Sequence, residues 1–220
     1  MSQNTDSIKC LTCNHKIVNS NSARNFKNPV YSVKYCIDQN IIAPNQKILE
    51  IGSGNLRNSN YLLNLFSNDK IFCYDIDNTY SRFFKEYSHF KKNGGQFYDF
   101  ANSEIKFDVV ICTYVLETFC PSNARLSLLK RIYRILKGNG ILIGSFRGYK
   151  GIIGTKYISC PSGDGYISPL KTFVKPHSIP EISNFLNEGG FQKIKLLEGY
   201  KVEKPQNIHL MAWKNGQRMD

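Results

Sequence analysis

The sequence predicts an α/β protein built on a parallel sheet, and three observations carry that expectation. Short apolar runs alternate with helical segments, one run (Lys47 to Ile51) leads straight into Gly52-Ser53-Gly54, and two later runs end in the acids Asp75 and Asp99. A strand, a glycine turn and a helix leave backbone N–H groups facing a crevice, and open α/β sheets bind ligands outside the carboxyl ends of their strands.

The elements follow in order. Val30, Val33, Ile37 and Ile41, with Tyr31 and Tyr35 beside them, recur every three or four residues, so an amphipathic helix is expected over 28–42, ended by Pro44-Asn45. The strand Lys47 to Ile51 precedes a helix over about 58–66 whose apolar set is Tyr61, Leu62, Leu65 and Phe66. Ile71 to Tyr74 is a second strand, and Asp75 at its end lies 21 residues after Gly54, the place from which an acid reaches a ribose diol. Asp77 or Asn78 then caps a helix from Thr79 to Tyr87. Gln96 to Tyr98 is a short strand ending in Asp99-Phe100. Phe107 to Cys112 lacks polar alternation and reads as the central strand, buried on both faces.

A helix over 122–136 places Leu128, Leu129, Ile132, Ile135 and Leu136 on the sheet, with Arg125, Lys130, Arg131, Arg134 and Lys137 on or near its outer side. Lys137-Gly138-Asn139-Gly140 is a helix stop and turn, and Ile141 to Phe146 is the fifth strand.

The bulk numbers bound the rest. A chain of 220 residues with 41% apolar side chains fits one domain with short appendages. Its 29 Lys and Arg against 17 Asp and Glu, a formal charge of +12, favour contact with polyanions, although a Lys- and Asn-rich coding bias gives the same surplus. Seven cysteines, an odd number with Cys73 and Cys112 inside core strands, suit a reduced protein. With a polar opening at Met1 to Asp6 and no run of about 18 apolar residues, a cytoplasmic location without membrane association is expected. Residues 1–26 lack a period of 2 or 3.6 and read as an irregular arm before the domain at 27–220. The arm holds Cys10, Cys13 and His15, which is half a structural zinc site. A closed site needs four ligands, so no metal is assigned.

Taken together, Glu50-Ile51-Gly52-Ser53-Gly54, Asp75, Asp99, Phe107 to Val110, Val115-Leu116-Glu117 and Arg131 to Gly140 resemble the class I S-adenosylmethionine-dependent methyltransferases over roughly 28–214. The resemblance implies a Rossmann-like, doubly wound, seven-stranded, mostly parallel sheet that ends in an antiparallel hairpin, Gln192 to Glu198 and Asn207 to Lys214. It implies S-adenosyl-L-methionine as cofactor, with Glu50 near the methionine end and Gly52, Ser53 and Gly54 letting the backbone approach. Asp75 would take the ribose hydroxyls and Ile76 would pack on the adenine. Asp99 and the backbone of Phe100 would bind the adenine edge, and Cys112, Thr113 and Tyr114 would lie near the methyl. Leu56 stands where a third glycine is common, and Asn139 where proline is.

The acceptor is less legible. The motif of amino-methylating nucleic-acid enzymes is absent, since the matching stretch reads Cys112-Thr113-Tyr114-Val115. Cys120-Pro121 and Cys160-Pro161 reverse the order that cytosine chemistry uses, so both read as turn residues. The insertion at about 147–180 is a lid carrying Arg147, Lys150, Lys156, Lys171 and Lys175 against Asp164, interleaved with Tyr149, Tyr157, Tyr166 and Phe173. It suits a phosphate-bearing or flat substrate, or else a flexible cover over the cofactor. His177, Tyr114 and Glu117 are the candidate catalytic residues, His177 because its ordinary pKa lies near neutrality.

The acceptor is left as a small molecule or nucleic acid. Two rivals share the fold: a degenerate nucleic-acid-binding or assembly subunit, and an NAD-dependent dehydrogenase, against which Arg57 occupies the place of a small residue. A fainter likeness of Gly163 to Phe173 and of Glu181 to Phe191 is to methyltransferases associated with DNA phosphorothioation.

Overall fold

The computed structural model describes residues 7–9, 16–18, 27–66, 69–101, 103–120, 122–152, 156–160, 164–197 and 206–214. Cys10, Cys13 and His15 lie outside these residues. Strands β1 (Ser7–Lys9) and β2 (Lys16–Val18) pair antiparallel, so the arm expected to be irregular carries a hairpin. Strands of three residues are too short to display a period.

The main sheet has seven strands in the order β11-β12-β7-β6-β3-β4-β5. β3 (Ile48–Ile51), β4 (Ile71–Tyr74), β5 (Gln96–Phe97), β6 (Phe107–Thr113) and β7 (Leu136–Arg147) run parallel. β12 (Asn207–Trp213) lies antiparallel between β7 and β11 (Lys193–Leu196), the hairpin expected at the end of the chain. Alternate side chains feed two cores, because successive residues of a strand point to opposite faces. Ile48, Val109, Ile111, Ile143 and Met211 pack with α1 (Tyr31–Asp38), α2 (Arg57–Phe66) and α4 (Phe84–Lys92). Leu49, Ile51, Val110, Leu142 and Leu210 pack with α5 (Ser122–Ile135) and α6 (Ile179–Glu188).

Several boundaries differ from the sequence reading. The single helix expected over Thr79 to Tyr87 is two, α3 (Asp77–Arg82) and α4, broken at Phe83, whose side chain is buried. β7 begins at Leu136 and contains the expected turn. Leu136 pairs with Phe107 and Ile141 with Val109, so residues 137–140 bulge opposite Asp108, whose carboxylate takes Lys137 Nζ at 2.8 Å.

Arg125, expected on or near the outer face of α5, is 3% exposed. Its guanidinium donates to the carbonyls of Phe119 and Cys120 and pairs with Asp164. It therefore ties the lid to the loop after β6, a contact set by a residue 39 positions away that helical spacing could not reveal.

The lid contains a three-stranded antiparallel sheet of β8 (Ile158–Ser159), β9 (Tyr166–Ile167) and β10 (Phe173–Val174). Beneath it Cys120 and Cys160, expected as turn residues, are buried thiols with Sγ atoms 4.0 Å apart, packed with Ile167 and Phe173. Of the lid's five cations, Lys150, Lys156 and Lys171 are exposed and the other two face carboxylates. Lys175 faces both Asp164 and Glu181, and Arg147 faces Glu117. Among the described residues, no helix is long and apolar enough to cross a membrane, and no group of three or more His, Cys, Asp or Glu could hold a metal ion.

Candidate functional site

The turn after β3 is built on left-handed backbone. Gly52 and Gly54 have φ of +68° and +55°, and a Cβ on Gly52 would stand 2.2 Å from Val115 Cγ2. Glycine is required there on both counts. Leu56, where a third glycine is common, also has positive φ, +63°, and is fully buried. Left-handed backbone costs an L-residue roughly 1–2 kcal/mol, and burying a leucine returns roughly 1.5–3, so the side chain offsets the strain.

Glu50 sits behind this turn, 2% exposed. Its Oε1 accepts from Asn58 Nδ2 at 2.7 Å, and its Oε2 accepts from Ser59 N at 2.9 Å and Ser59 Oγ at 2.5 Å. Asn58 Oδ1 accepts in turn from Val30 N, tying in the segment before α1. Burial raises the Glu50 pKa to about 7 against these donors, which favour the carboxylate. This carboxyl braces the start of α2 and still lines the cavity in front of it.

Asp75 locks the two loops together. Its Oδ2 accepts from Gly54 N at 2.7 Å and its Oδ1 from Ile76 N at 2.8 Å, while Gly52 N donates to Tyr74 O. Two tyrosines that the sequence reading assigned no role complete the brace. Tyr80 Oη accepts from Asp75 N at 2.9 Å, and Tyr87 Oη donates to Gly54 O at 2.9 Å and lies 2.9 Å from Ser53 Oγ. They stack edge to face, 4.6 Å apart. Their seven-residue separation, two turns of the single helix that the sequence predicts over Thr79 to Tyr87, is the available signal, but it also describes ordinary core packing, and the two rings come from separate helices.

The cavity over the strand ends has a volume of about 500 Å³. One wall holds Glu50, Gly52 to Gly54, Arg57, Asp75 and Ile76, and the other holds Tyr114, Thr118, Phe119, Arg147, Gln206 and Asn207, with Thr113 between. A second cavity, of about 710 Å³, opens on the far side of Asp75 and Ile76 and reaches Tyr74, Tyr98 and Asp99. Thus Asp75, Ile76 and Asp99 share one surface, while Asp99 Oδ1 accepts from Ala101 N. Phe100 packs edge to face on Tyr74 and Tyr98, and Arg131 stands over its ring. Cys112 is buried at the end of β6, and burial pushes its thiol up to about 12.

The three candidate catalytic residues are placed differently. Tyr114 lines the cavity with φ +59°, held by its N–H to Ser145 O at 2.8 Å. Glu117 is 1% exposed behind the wall. Its Oε2 accepts from Arg147 N and its Oε1 lies 3.6 Å from Arg147 Nε. Burial raises its pKa to about 7, opposed by Arg147. His177 is outside the cavity lining, packed between Phe146 and Phe185. Burial, with Lys175 and Arg125 nearby, lowers its pKa to about 4, so it is neutral at pH 7.

Sequence reasoning did not single out His209. It is buried on β12, its Nδ1 2.7 Å from Ser145 Oγ, which is 2.8 Å from Ser32 Oγ.

These features fit S-adenosyl-L-methionine on geometric grounds. The glycine turn allows close backbone approach, Asp75 is fixed at the carboxyl end of β4 beside it, and Arg57 adds a cation at the start of α2.

Comparisons with known proteins agree in kind. Residues 49–142 match the family described as a methyltransferase domain. No curated protein matches the chain. Among solved structures, a methyltransferase of Methanosarcina mazei superposes with a TM-score of 0.61 at 16% identity, covering 81% of this chain and 96% of that one. The 1,6-didemethyltoxoflavin N1-methyltransferase of Burkholderia thailandensis, with 1,6-didemethyltoxoflavin and S-adenosylhomocysteine bound, gives 0.58 at 14%, covering 83% and 76%. The magnesium protoporphyrin IX methyltransferase of Synechocystis, with S-adenosylhomocysteine bound, gives 0.56 at 18%, covering 83% and 80%. A chain from Nostoc punctiforme assigned as an O-methyltransferase is longer, and this chain spans 55% of it. At these identities the likeness is one of fold.

Proposed function

From the premise that this chain carries a class I S-adenosyl-L-methionine-dependent methyltransferase domain, we propose that it methylates a small molecule held over the carboxyl end of β6. The observation that carries this reading is the two-walled cavity of about 500 Å³. The glycine turn and Asp75 form one side and a separate set of polar and aromatic residues forms the other. That volume is of the size that encloses small ligands. A polyanion track needs cations along a groove, and of the lid's cations Arg147 alone lines the cavity: Lys175 pairs with Asp164 and Glu181, and Lys150, Lys156 and Lys171 are exposed outside the lining. The Burkholderia and Synechocystis neighbours, named for small-molecule acceptors, supply the analogy.

When bound, the cofactor supplies an electrophilic sulfonium methyl group open to in-line displacement. The chain's own residues do the positioning. Asp75 is fixed to accept from a diol, Gly52 to Gly54 permit close approach, and Arg57 offers a counter-charge to a carboxylate. Thr113 and Tyr114, at the end of β6, stand between the two walls and orient the acceptor. Of the three candidate catalytic residues, Tyr114 alone lines the cavity and is the one placed to hold or take an acceptor proton.

The test is calorimetric titration with S-adenosylhomocysteine, followed by incubation of the protein with radiolabelled donor and fractionated cell extract. Binding, with label in the metabolite fraction, is expected. Label confined to RNA, DNA or protein overturns the small-molecule acceptor. Tight NADH binding without S-adenosylhomocysteine binding overturns the donor, and donor binding with no label anywhere favours a degenerate subunit.

A further inference from the structure

We infer that Arg147 is an acceptor-binding cation and that the acceptor carries a carboxylate on a small planar body. This rests on the methyl-transfer reading and names the substrate class for that site.

Arg147 ends β7 and lines the cavity, its side chain 38% exposed. Its charged contact among the described residues is Glu117, and that contact is spent at the base of the guanidinium. Glu117 Oε1 lies 3.6 Å from Nε, too far for a hydrogen bond, and Nε is buried without a hydrogen-bond acceptor among the described residues. Nε is thus turned inward toward Glu117, and the part of the guanidinium open to the cavity is its terminal pair of N–H groups, a fork that matches a carboxylate.

Glu117 is in turn fixed by the backbone N–H of Arg147 itself, so strand β7 and the loop after β6 are joined behind the guanidinium. Lys175 N donates to Glu117 O, which adds the lid to the same clamp.

The surroundings define the ligand. Asn207 is the register partner of Arg147 on β12. Directly opposed residues present their side chains on the same face, so an amide stands beside the fork. Tyr114 and Phe119 bring aromatic surface to the same wall, which suits a flat body. Arg57, the other cation of the cavity, belongs to α2 beside the glycine turn. β6 lies between β3 and β7, so the two strands are about 10 Å apart. The two cations therefore serve different ends of the cavity: Arg57 the donor end, and Arg147 the acceptor end.

Benzoate serves as the probe, benzamide as its neutral isostere and phenyl phosphate as the tetrahedral anion. Each is titrated by NMR into the wild type and into Arg147→Gln, Arg147→Lys and Glu117→Gln, with and without S-adenosylhomocysteine, whose own binding is measured by calorimetry. Benzoate affinity is expected to fall about tenfold or more in Arg147→Gln, the scale of one charged hydrogen-bonded contact. A smaller fall is expected in Arg147→Lys, which keeps the charge and loses the fork. Benzamide should bind more weakly and respond little to either change.

Glu117→Gln should weaken benzoate while leaving S-adenosylhomocysteine affinity unchanged, as a positioning residue would. The Lys variant retains charge in the same strand, so it keeps the comparison usable if the Gln variant fails to fold. Benzoate binding that is undetectable in the wild type, or equal in wild type and both Arg147 variants, overturns the inference. So does phenyl phosphate binding tighter than benzoate. Arg147-dependent benzoate binding with no S-adenosylhomocysteine binding overturns the methyl-transfer reading alone.

Discussion

The two walls of the cavity are built by different means. On the donor side the polar work is done by local loops. Asp75 takes the N–H groups of Gly54 and Ile76, Glu50 takes those at the start of α2, and the charged groups are supplied with partners close at hand. On the acceptor side an arginine at the end of β7 meets a carboxylate buried in the loop after β6 and leaves Nε unsatisfied, while Tyr114 holds a left-handed conformation. Both walls carry left-handed backbone, at Gly52, Gly54 and Leu56 on the first and at Tyr114 on the second, but only the second leaves a buried cationic N–H without a hydrogen-bond partner among the described residues.

The largest effect should come where the walls touch. Gly52→Ala places a methyl 2.2 Å from Val115 Cγ2 at φ +68°. Strain and overpacking together should cost about 3 kcal/mol in a urea titration and abolish S-adenosylhomocysteine binding. Adding Val115→Ala should recover the overpacking part and leave the backbone part. Full recovery would show that the conformation at Gly52 is not strained.

Asp75→Ala comes next. It removes the carboxylate proposed to take the ribose diol and the lock on Gly54 N, so S-adenosylhomocysteine affinity should fall about 100-fold by calorimetry. Benzoate affinity in the absence of donor should not change. A matching fall in both would mean that the walls act as one unit.

Tyr87→Phe should do less. It deletes the hydrogen bond to Gly54 O and the contact with Ser53 Oγ while keeping the ring, so a loss of about 1 kcal/mol in stability is expected, with a severalfold loss of donor affinity.

The same contrast explains what the sequence disclosed. The five parallel strands, the glycine turn and the acids after β4 and β5 are local patterns in which apolar runs, turn residues and short spacings carry the signal, while the closing antiparallel hairpin is implied by the family resemblance alone. The acceptor wall depends on pairings that no window of sequence contains. Arg125 looks like a surface cation by helical spacing, yet it is buried against Asp164. Glu117, a candidate catalytic residue by its place after the central strand, is buried and accepts from the backbone N–H of Arg147. His209 reads as one more residue of a hairpin strand and joins Ser145 and Ser32 behind Tyr114. Leu56 looks like a lost glycine and keeps the glycine's conformation by burial. Positive φ and cross-strand ion pairs are tertiary consequences, and only the fold supplies them.

Each wall also holds one buried carboxyl raised to about 7, Glu50 on one side and Glu117 on the other, and this yields the smallest effect in the native protein. A folded-state pKa raised from 4.5 means that the folded state keeps its proton longer. The stabilisation is whole below about pH 4.5 and drains away as pH rises to about 7. His177 and His209 act in the opposite sense. Burial lowers both from 6.5 to about 4, so their contribution is whole above about pH 6.5 and is lost as pH falls toward 4. Glu181, lowered to about 2, matters only below about pH 4.5.

Between pH 5 and 6.5 two falling contributions therefore oppose two rising ones, and the urea midpoint of the wild type should stay nearly flat. Glu117→Gln removes one falling contribution, so stability should then rise with pH across that window, by at most about 1.4 kcal/mol per pH unit. His209→Phe removes a rising one and should reverse the slope. If Glu117→Gln leaves the profile flat, Glu117 does not titrate in this window, and the two walls differ in their charge state as well as in their construction.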